Sequence, residues 1–354
     1  MCTMENWEKI IETIHMPKPE QRVFIWGAGN TSSLNHQGML RENLYEELRV
    51  SAFLDSKLAG GTFNGFPVFH PNILNDEDPD KVFVLISTTN SSVFHEIERL
   101  CKKRNIQSCL VDAAILRLRK NEYIKAGNLL DASSKEIYFA LLANRAKAAV
   151  AQPELYAGEA YFGIPEFCRP KPGDVIVDCG AYIGDSAERF IWRMEMFKKY
   201  IAIEPDEANY HAMKKRFARL REEWNLPGDK LIAIHGGVDS ATKHMGMKSR
   251  VGGLGSIASD ADGAKGEIAF WALDDLIPEG CTFLKADIES FEYRMLCGAK
   301  ETIRKYHPRM AICIYHNMVD MYSIPQLIQE IDSSYRLAVR HHSYGYEETV
   351  LYAD

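Results

Sequence analysis

Paired cysteine is the first thing this chain lacks. Its 8 cysteines, Cys2, Cys101, Cys109, Cys168, Cys179, Cys281, Cys297 and Cys313, are scattered, and no two form a C-x-x-C. That spacing excludes a sequence-evident zinc site or disulfide frame. It leaves reduced thiols packed as small hydrophobes, as expected of a cytoplasmic protein. No apolar run nears the ~20 residues that a membrane span needs. The stretch Met1–Lys9 carries acids and no apolar core, so a signal peptide is not expected. Basic charge is short as well. The 42 Lys and Arg stand against 49 Asp and Glu, and the net charge of −7 argues against a nucleic-acid partner.

What is present is ordinary globular composition. At 354 residues with 46% hydrophobic side chains, the chain can bury the cores of two or three domains. Apolar runs alternate with helical patterns throughout, which predicts α/β architecture in two doubly wound domains. The expected division is an N-terminal Rossmann-like domain over 1–118, a helical connector over 119–172 and a second α/β domain over 173–354. In the first domain, strands are expected at Arg22–Trp26, Val50–Asp55, Lys81–Ser87 and Ser108–Asp112. Asp131 reads as a helix cap in the connector. In the second domain the glycine-rich polar span Ala241–Gly266 reads as a long loop, and Phe291–Tyr306 as one helix. The closing runs Tyr335–Arg340 and Glu348–Tyr352 are too near each other for a helical crossover, so they should pair antiparallel. A parallel sheet finished in this way is the arrangement of methyltransferases that use S-adenosylmethionine (SAM), and dinucleotide-binding domains usually lack the last strand.

The chemistry is concentrated at strand ends. Val175–Asp178 runs into Cys179-Gly180-Ala181-Tyr182-Ile183-Gly184-Asp185, a strand, a glycine turn and a helix start. Glycine lets backbone approach a small molecule, and the helix offers unpaired N–H groups. About twenty residues on, Tyr200–Ile203 ends in Glu204-Pro205-Asp206, and an acid at such a tip can accept both ribose hydroxyls of an adenosine cofactor. By itself the pair does not separate a dinucleotide from SAM.

Four blocks carry a resemblance. They are Asp178-Cys-Gly180-Ala-Tyr-Ile-Gly184-Asp185, Ile203-Glu204-Pro205-Asp206, Leu273-Asp274-Asp275 and Lys285-Ala-Asp287-Ile288-Glu289-Ser290-Phe291-Glu292. In this order they are similar to the motifs of FkbM-type SAM-dependent methyltransferases, from about Gly173 to Asp354. The departure is Ser290, where the family usually has glycine. The resemblance implies a class I fold, a seven-stranded sheet with an antiparallel last strand. It also implies methyl transfer from SAM to oxygen on a sugar, glycan or secondary-metabolite acceptor. Gly180 and Gly184 would then admit the methionine part of SAM, with Asp178, Tyr182 and Asp185 around the turn. Glu204 would hold the ribose, and Pro205, Asp206, Gly237 and Val238 would line the adenine side. An alcohol needs a general base. Asp287 is the first candidate and Glu289 the second, while His316 or Lys285 could serve instead. A divalent metal is not favoured, although Asp287 and Glu289 with a nearby histidine could offer hard ligands.

The N-terminal Gly27-Ala-Gly29 turn and Asp55 resemble the Rossmann-like modules found ahead of sugar-modifying acyltransferases, with Ser32 in place of a third glycine. They form a candidate nucleotide site. Two other functions stay open at this point: an NAD-dependent sugar-modifying enzyme using Asp55, and a non-catalytic SAM-binding protein. Oligomeric state is left open.

Overall fold

The structure is a computed structural model that describes residues 3–162, 164, 167, 169–194, 196–249, 256–259 and 265–354. Cys2 and Cys168 lie outside the described residues. The chain forms two compact units. One comprises Met1–Tyr156, Tyr315–Ser323 and Ser343–Thr349, and the other Ala157–Ile314, Ile324–His342 and Val350–Asp354.

The first unit is built on six strands: β1 (Arg22–Trp26), β2 (Val50–Leu54), β3 (Thr62–Phe63), β4 (Phe66–Phe69), β5 (Val82–Ile86) and β6 (Gln107–Leu110). Their order is β3-β4-β2-β1-β5-β6, parallel except for the β3–β4 hairpin. All five residues of β5 are fully buried, as a parallel strand covered on both faces requires. The expected fourth strand stops at Leu110, and Val111–Leu118 turns helical. Asp131 caps the helix Ala132–Ala146, its carboxylate accepting from Ser134 N–H at 2.8 Å. The returning segment Tyr315–Ser323 is gripped by polar tips from this unit. Tyr123 Oη donates to Met318 O at 2.8 Å and Tyr138 Oη to Met321 O at 3.0 Å. The Arg41 guanidinium pairs with buried Asp320 at 2.7 Å. Those tips supply the hydrogen bonds that a buried segment outside any sheet must find elsewhere.

The second unit holds β7 (Val175–Cys179), β8 (Lys199–Glu204), β9 (Leu231–His235), β10 (Gly237–Val238), β11 (Lys243–Ser249), β12 (Ser256–Ser259), β13 (Lys265–Trp271), β14 (Phe283–Ala286), β15 (Arg309–Cys313), β16 (Leu337–His341) and β17 (Thr349–Ala353). Seven of them form the main sheet, ordered β16-β17-β15-β14-β7-β8-β9. Strands β9, β8, β7, β14 and β15 are parallel, and β17 runs antiparallel to β15. The expected seven-stranded sheet with an antiparallel finish is present. Strand order reverses between β7 and β14, so a ligand crevice belongs at their carboxyl ends.

Two expectations fail here. The span 241–266 is not one loop. It carries β11, β12 and the start of β13, which join β10 in a separate sheet ordered β10-β13-β11-β12. Residues 250–255 and 260–264 of that span lie outside the described set. Strands with one face on a core need only alternate apolar residues, and Met245 is the buried member between exposed His244 and half-buried Gly246. Nor is Phe291–Tyr306 one helix. It divides into Glu292–Cys297 and Lys300–Tyr306. Gly298 sits at the break, where a Cβ would lie 2.2 Å from Asp239 O.

Candidate active site

The glycine turn after β7 is shaped by left-handed backbone. Gly180 has φ +77°, Tyr182 +50° and Gly184 +76°. The N–H groups of Gly180 and Ala181 both donate to Ile203 O, at 3.0 and 3.1 Å, which ties the turn to the end of β8. A Cβ on Gly180 would stand 1.9 Å from Asp287 O, so no other residue fits there. The turn feeds the helix Asp185–Arg193, where Asp185 pairs with Arg189 at 2.5 Å.

Glu204 ends β8 with 6% of its surface exposed. Its Oε2 accepts from Tyr182 N–H at 2.9 Å and its Oε1 from Asp206 N–H at 2.9 Å. Burial pushes the carboxyl up to about 7, against those backbone donors and the Asn209 amide, which pull it down. Asp206, after Pro205, caps the helix Glu207–Glu223 through Asn209 N–H at 3.0 Å. Gly237 and Val238 are β10 itself, buried beside β13, with the Phe270 ring 2.0 Å from where a Gly237 Cβ would stand.

Asp178 lies under the turn with no exposed surface. Strand register sets it opposite Lys285 of β14, and the ammonium reaches it at 2.9 Å. Tyr200 Oη donates to the other Asp178 oxygen at 2.7 Å. Lys285 Nζ also donates to Gly180 O at 2.8 Å, so the pair braces the turn from below. Burial works against the ammonium, but the Asp178 and Asp287 carboxylates more than offset it and hold Lys285 well above its ordinary value. A buried ammonium held in charge cannot accept a proton, which removes Lys285 as an alternative base. Cys179 is buried, and burial drives its thiol well up, consistent with packing rather than reactivity. It is one of six free cysteines among the described residues.

Asp287 follows β14 directly and is half-buried. Tyr161 Oη donates to its Oδ2 at 2.9 Å. Glu289 and Ser290 are both left-handed, with φ +57° and +74°, so the position where the family usually has glycine does adopt a glycine-favouring conformation. The Glu292 carboxylate, fully buried, accepts from Ile288 N–H at 2.7 Å and holds this turn closed. The structure thus gathers Asp178, Gly180, Tyr182, Gly184, Glu204 and Asp287 around one sheet edge. His316 lies in the segment Tyr315–Ser323 of the first unit, buried, its ring 4.1 Å from that of Tyr315.

Sequence reasoning missed Tyr161. It sits in an aperiodic stretch before the domain, and nothing in its spacing points to Asp287. The Lys285–Asp178 pair left a faint signal, two opposite charges inside apolar strands.

In the first unit, Gly27 has φ +114°, with Ser87 O 2.7 Å from a Cβ built there, so the turn packs against the end of β5. Gly29 precedes the helix Asn30–Arg41. Asp55 accepts from Lys57 and Leu58 N–H at 2.8 and 3.2 Å through one oxygen, and from Ala28 N–H at 3.4 Å through the other. Among the described residues no helix is long and apolar enough to cross a membrane.

A family model for the methyltransferase FkbM domain matches residues 178–347. Among solved structures the chain is similar to methyltransferase FkbM from Methylobacillus flagellatus KT, with TM-score 0.59, 18% identity, and 99% of this chain and 98% of that one covered. At that identity the likeness establishes the fold alone. Weaker likenesses include Aeropyrum pernix fibrillarin in complex with natively bound S-adenosyl-L-methionine, at TM-score 0.32, 12% identity and coverage of 52% and 67%. Another is a putative rRNA-methylase from Clostridium thermocellum, at TM-score 0.35, 10% identity and coverage of 55% and 94%. Comparison with curated proteins gives no match. The family match falls on the same glycine turn, strand-tip acid and post-β14 block, so residues 178–347 form a methyltransferase FkbM domain.

Proposed function

We propose that the protein methylates a hydroxyl oxygen on a sugar, glycan or secondary metabolite, with Asp287 as general base and Glu204 on the cofactor ribose. The observation that carries this reading is the contact between the two turns. Asp287 O lies 1.9 Å from where a Gly180 Cβ would stand, so the proposed base follows the same close approach of the turn proposed to take the cofactor. The residues present fit SAM: a buried strand-tip carboxylate for the ribose diol, and a left-handed turn that brings backbone close. SAM supplies an already activated methyl group, which leaves the protein to position, exclude water and accept a proton. Glu204 binds, the braced turn orients, and Asp287 takes the hydroxyl proton as that oxygen gains the methyl.

Asp55 and Glu204 alike take backbone N–H donors at both carboxylate oxygens, and it is the FkbM match over residues 178–347 that favours Glu204 for the ribose.

The test is methyl transfer from labelled SAM into a pool of cellular metabolites and glycans. The labelled product should carry its new methyl on oxygen. Asp287→Asn should lower turnover roughly 10²–10⁴-fold, the span of general-base catalysis, with S-adenosylhomocysteine affinity within about twofold of native. Label on nitrogen, carbon or sulfur refutes the acceptor class, and native turnover in the variant removes Asp287 as the base.

A further inference from the structure

Tyr161 lies ahead of the matched domain, in a stretch with no regular secondary structure. Its φ is +66°, a left-handed conformation that an aromatic residue seldom adopts. Such a conformation persists only where the surroundings over-determine it. They do so here. The Tyr161 N–H donates to Tyr352 Oη at 3.0 Å. Tyr352 Oη is 2.8 Å from His342 Nε2, and His342 Nδ1 is 3.0 Å from Gly158 O. A carbonyl only accepts, so Nδ1 carries the proton and Nε2 accepts from the tyrosine. Burial keeps that ring neutral, lowering it to about 4. Two more ties hold the same stretch: Ala157 N–H donates to His341 O at 2.8 Å, and Glu159 pairs with Arg193. The outcome is a ring 5% exposed, with Lys285 Nζ 5.1 Å from its centroid and its hydroxyl 2.9 Å from Asp287 Oδ2.

We infer that Tyr161 is a positioning residue for the methyl transfer, holding the Asp287 carboxylate in one orientation through a hydroxyl that the Gly158–His342–Tyr352 chain fixes from behind. The inference rests on Asp287 being the base. No catalytic contact with acceptor or cofactor is assigned to Tyr161 itself. It contributes geometry, since a carboxylate anchored at one oxygen cannot swing about its bond to meet the hydroxyl at the wrong angle. A segment outside the family domain thereby supplies part of the site.

The experiment compares Tyr161→Phe, Asp287→Asn and the double variant. Each is assayed for turnover with labelled SAM and the metabolite and glycan pool, and for S-adenosylhomocysteine affinity. The Asp287 side chain is also viewed in crystals of Tyr161→Phe with and without S-adenosylhomocysteine. Tyr161→Phe should lower turnover at least about tenfold with affinity within about twofold of native, and it should add nothing in the Asp287→Asn background. The crystals should show the Asp287 carboxylate rotated or split. Tyr352→Phe, which leaves the Tyr161 hydroxyl in place but removes its backbone anchor, should give a smaller loss of about severalfold. An Asp287 carboxylate in its native single orientation in Tyr161→Phe overturns the inference, as do losses that multiply in the double variant. If Asp287→Asn turns over normally, the base assignment fails instead, and the crystals still decide whether Tyr161 holds the carboxylate.

Discussion

Glu204 should make cofactor binding a proton-linked event. In the free protein its carboxyl titrates at about 7 instead of 4.5, because burial disfavours the anion. A ribose diol can donate two O–H groups to a carboxylate, so binding favours the ionised form. If only that form binds, about half the sites are competent at pH 7 and roughly a tenth at pH 6, by the ordinary arithmetic of a competent fraction. S-adenosylhomocysteine affinity measured by calorimetry should therefore plateau near pH 8 and weaken about tenfold by pH 6. Protons should be released on binding at pH 6. Glu204→Gln should bind more weakly at pH 8 and with a flat profile. An affinity for the native protein that is level from pH 6 to 8 refutes the reasoning. The stability of the free protein carries the opposite sign. A carboxyl raised on folding contributes stability that is present below about 4.5 and lost as pH rises through about 7. The shift amounts to about 3 kcal/mol at full ionisation. It should appear as a pH-dependent difference between native and Glu204→Gln denaturation midpoints.

Two further substitutions test the brace beneath the turn. Gly180→Ala places a methyl 1.9 Å from Asp287 O at φ +77°, and should abolish S-adenosylhomocysteine binding with a stability loss above about 2 kcal/mol by denaturant titration. Retained affinity would mean that the turn does not serve the cofactor. Lys285→Met leaves the Asp178 carboxylate, 0% exposed, without its cation, which should cost about 3–5 kcal/mol. A loss below about 1 kcal/mol would mean that Tyr200 alone suffices to hold that charge.

Much of the second unit was legible in the sequence because its signals are local. A buried parallel strand writes itself as a mainly apolar run, and β7, β8, β14 and β15 do so despite the charges they carry, Asp178 and Lys285 among them. The antiparallel finish could be read from the short gap between the last two runs. Glu204 and Asp287 stood out as acids at the ends of such strands. In the separate sheet, β13 could be read as a strand over Glu267–Leu273, but β11 and β12 were illegible for a matching reason: they are half-polar and lie in a glycine-rich span, the composition of a loop. The break at Gly298 was hidden too, since it answers to Asp239 O and not to any neighbour in sequence. Asp55 had the same appearance in sequence as Glu204, an acid closing the second strand of an α/β unit. The two differ in surroundings: Glu204 is 6% exposed, and Asp55 is half-buried.

Lys285 is the instructive case, because the sequence left it among the alternative bases. A lysine in the middle of a fully buried strand is costly unless a partner stands at the same depth. Register supplies one, as Asp178 is its cross-strand neighbour and both side chains meet below Gly180. Such a lysine keeps its proton, which is why our proposal gives the proton-accepting role to a carboxylate instead. Asp287, the one we propose, is half-buried where Asp178 is fully buried, and lies within reach of the same ammonium's field. Two acids of the same kind, two residues apart in sheet depth, thus differ in burial and in partners: Asp178 anchors a cation and stiffens the turn, and Asp287, held by the Tyr161 hydroxyl, is the one we propose for the acceptor proton.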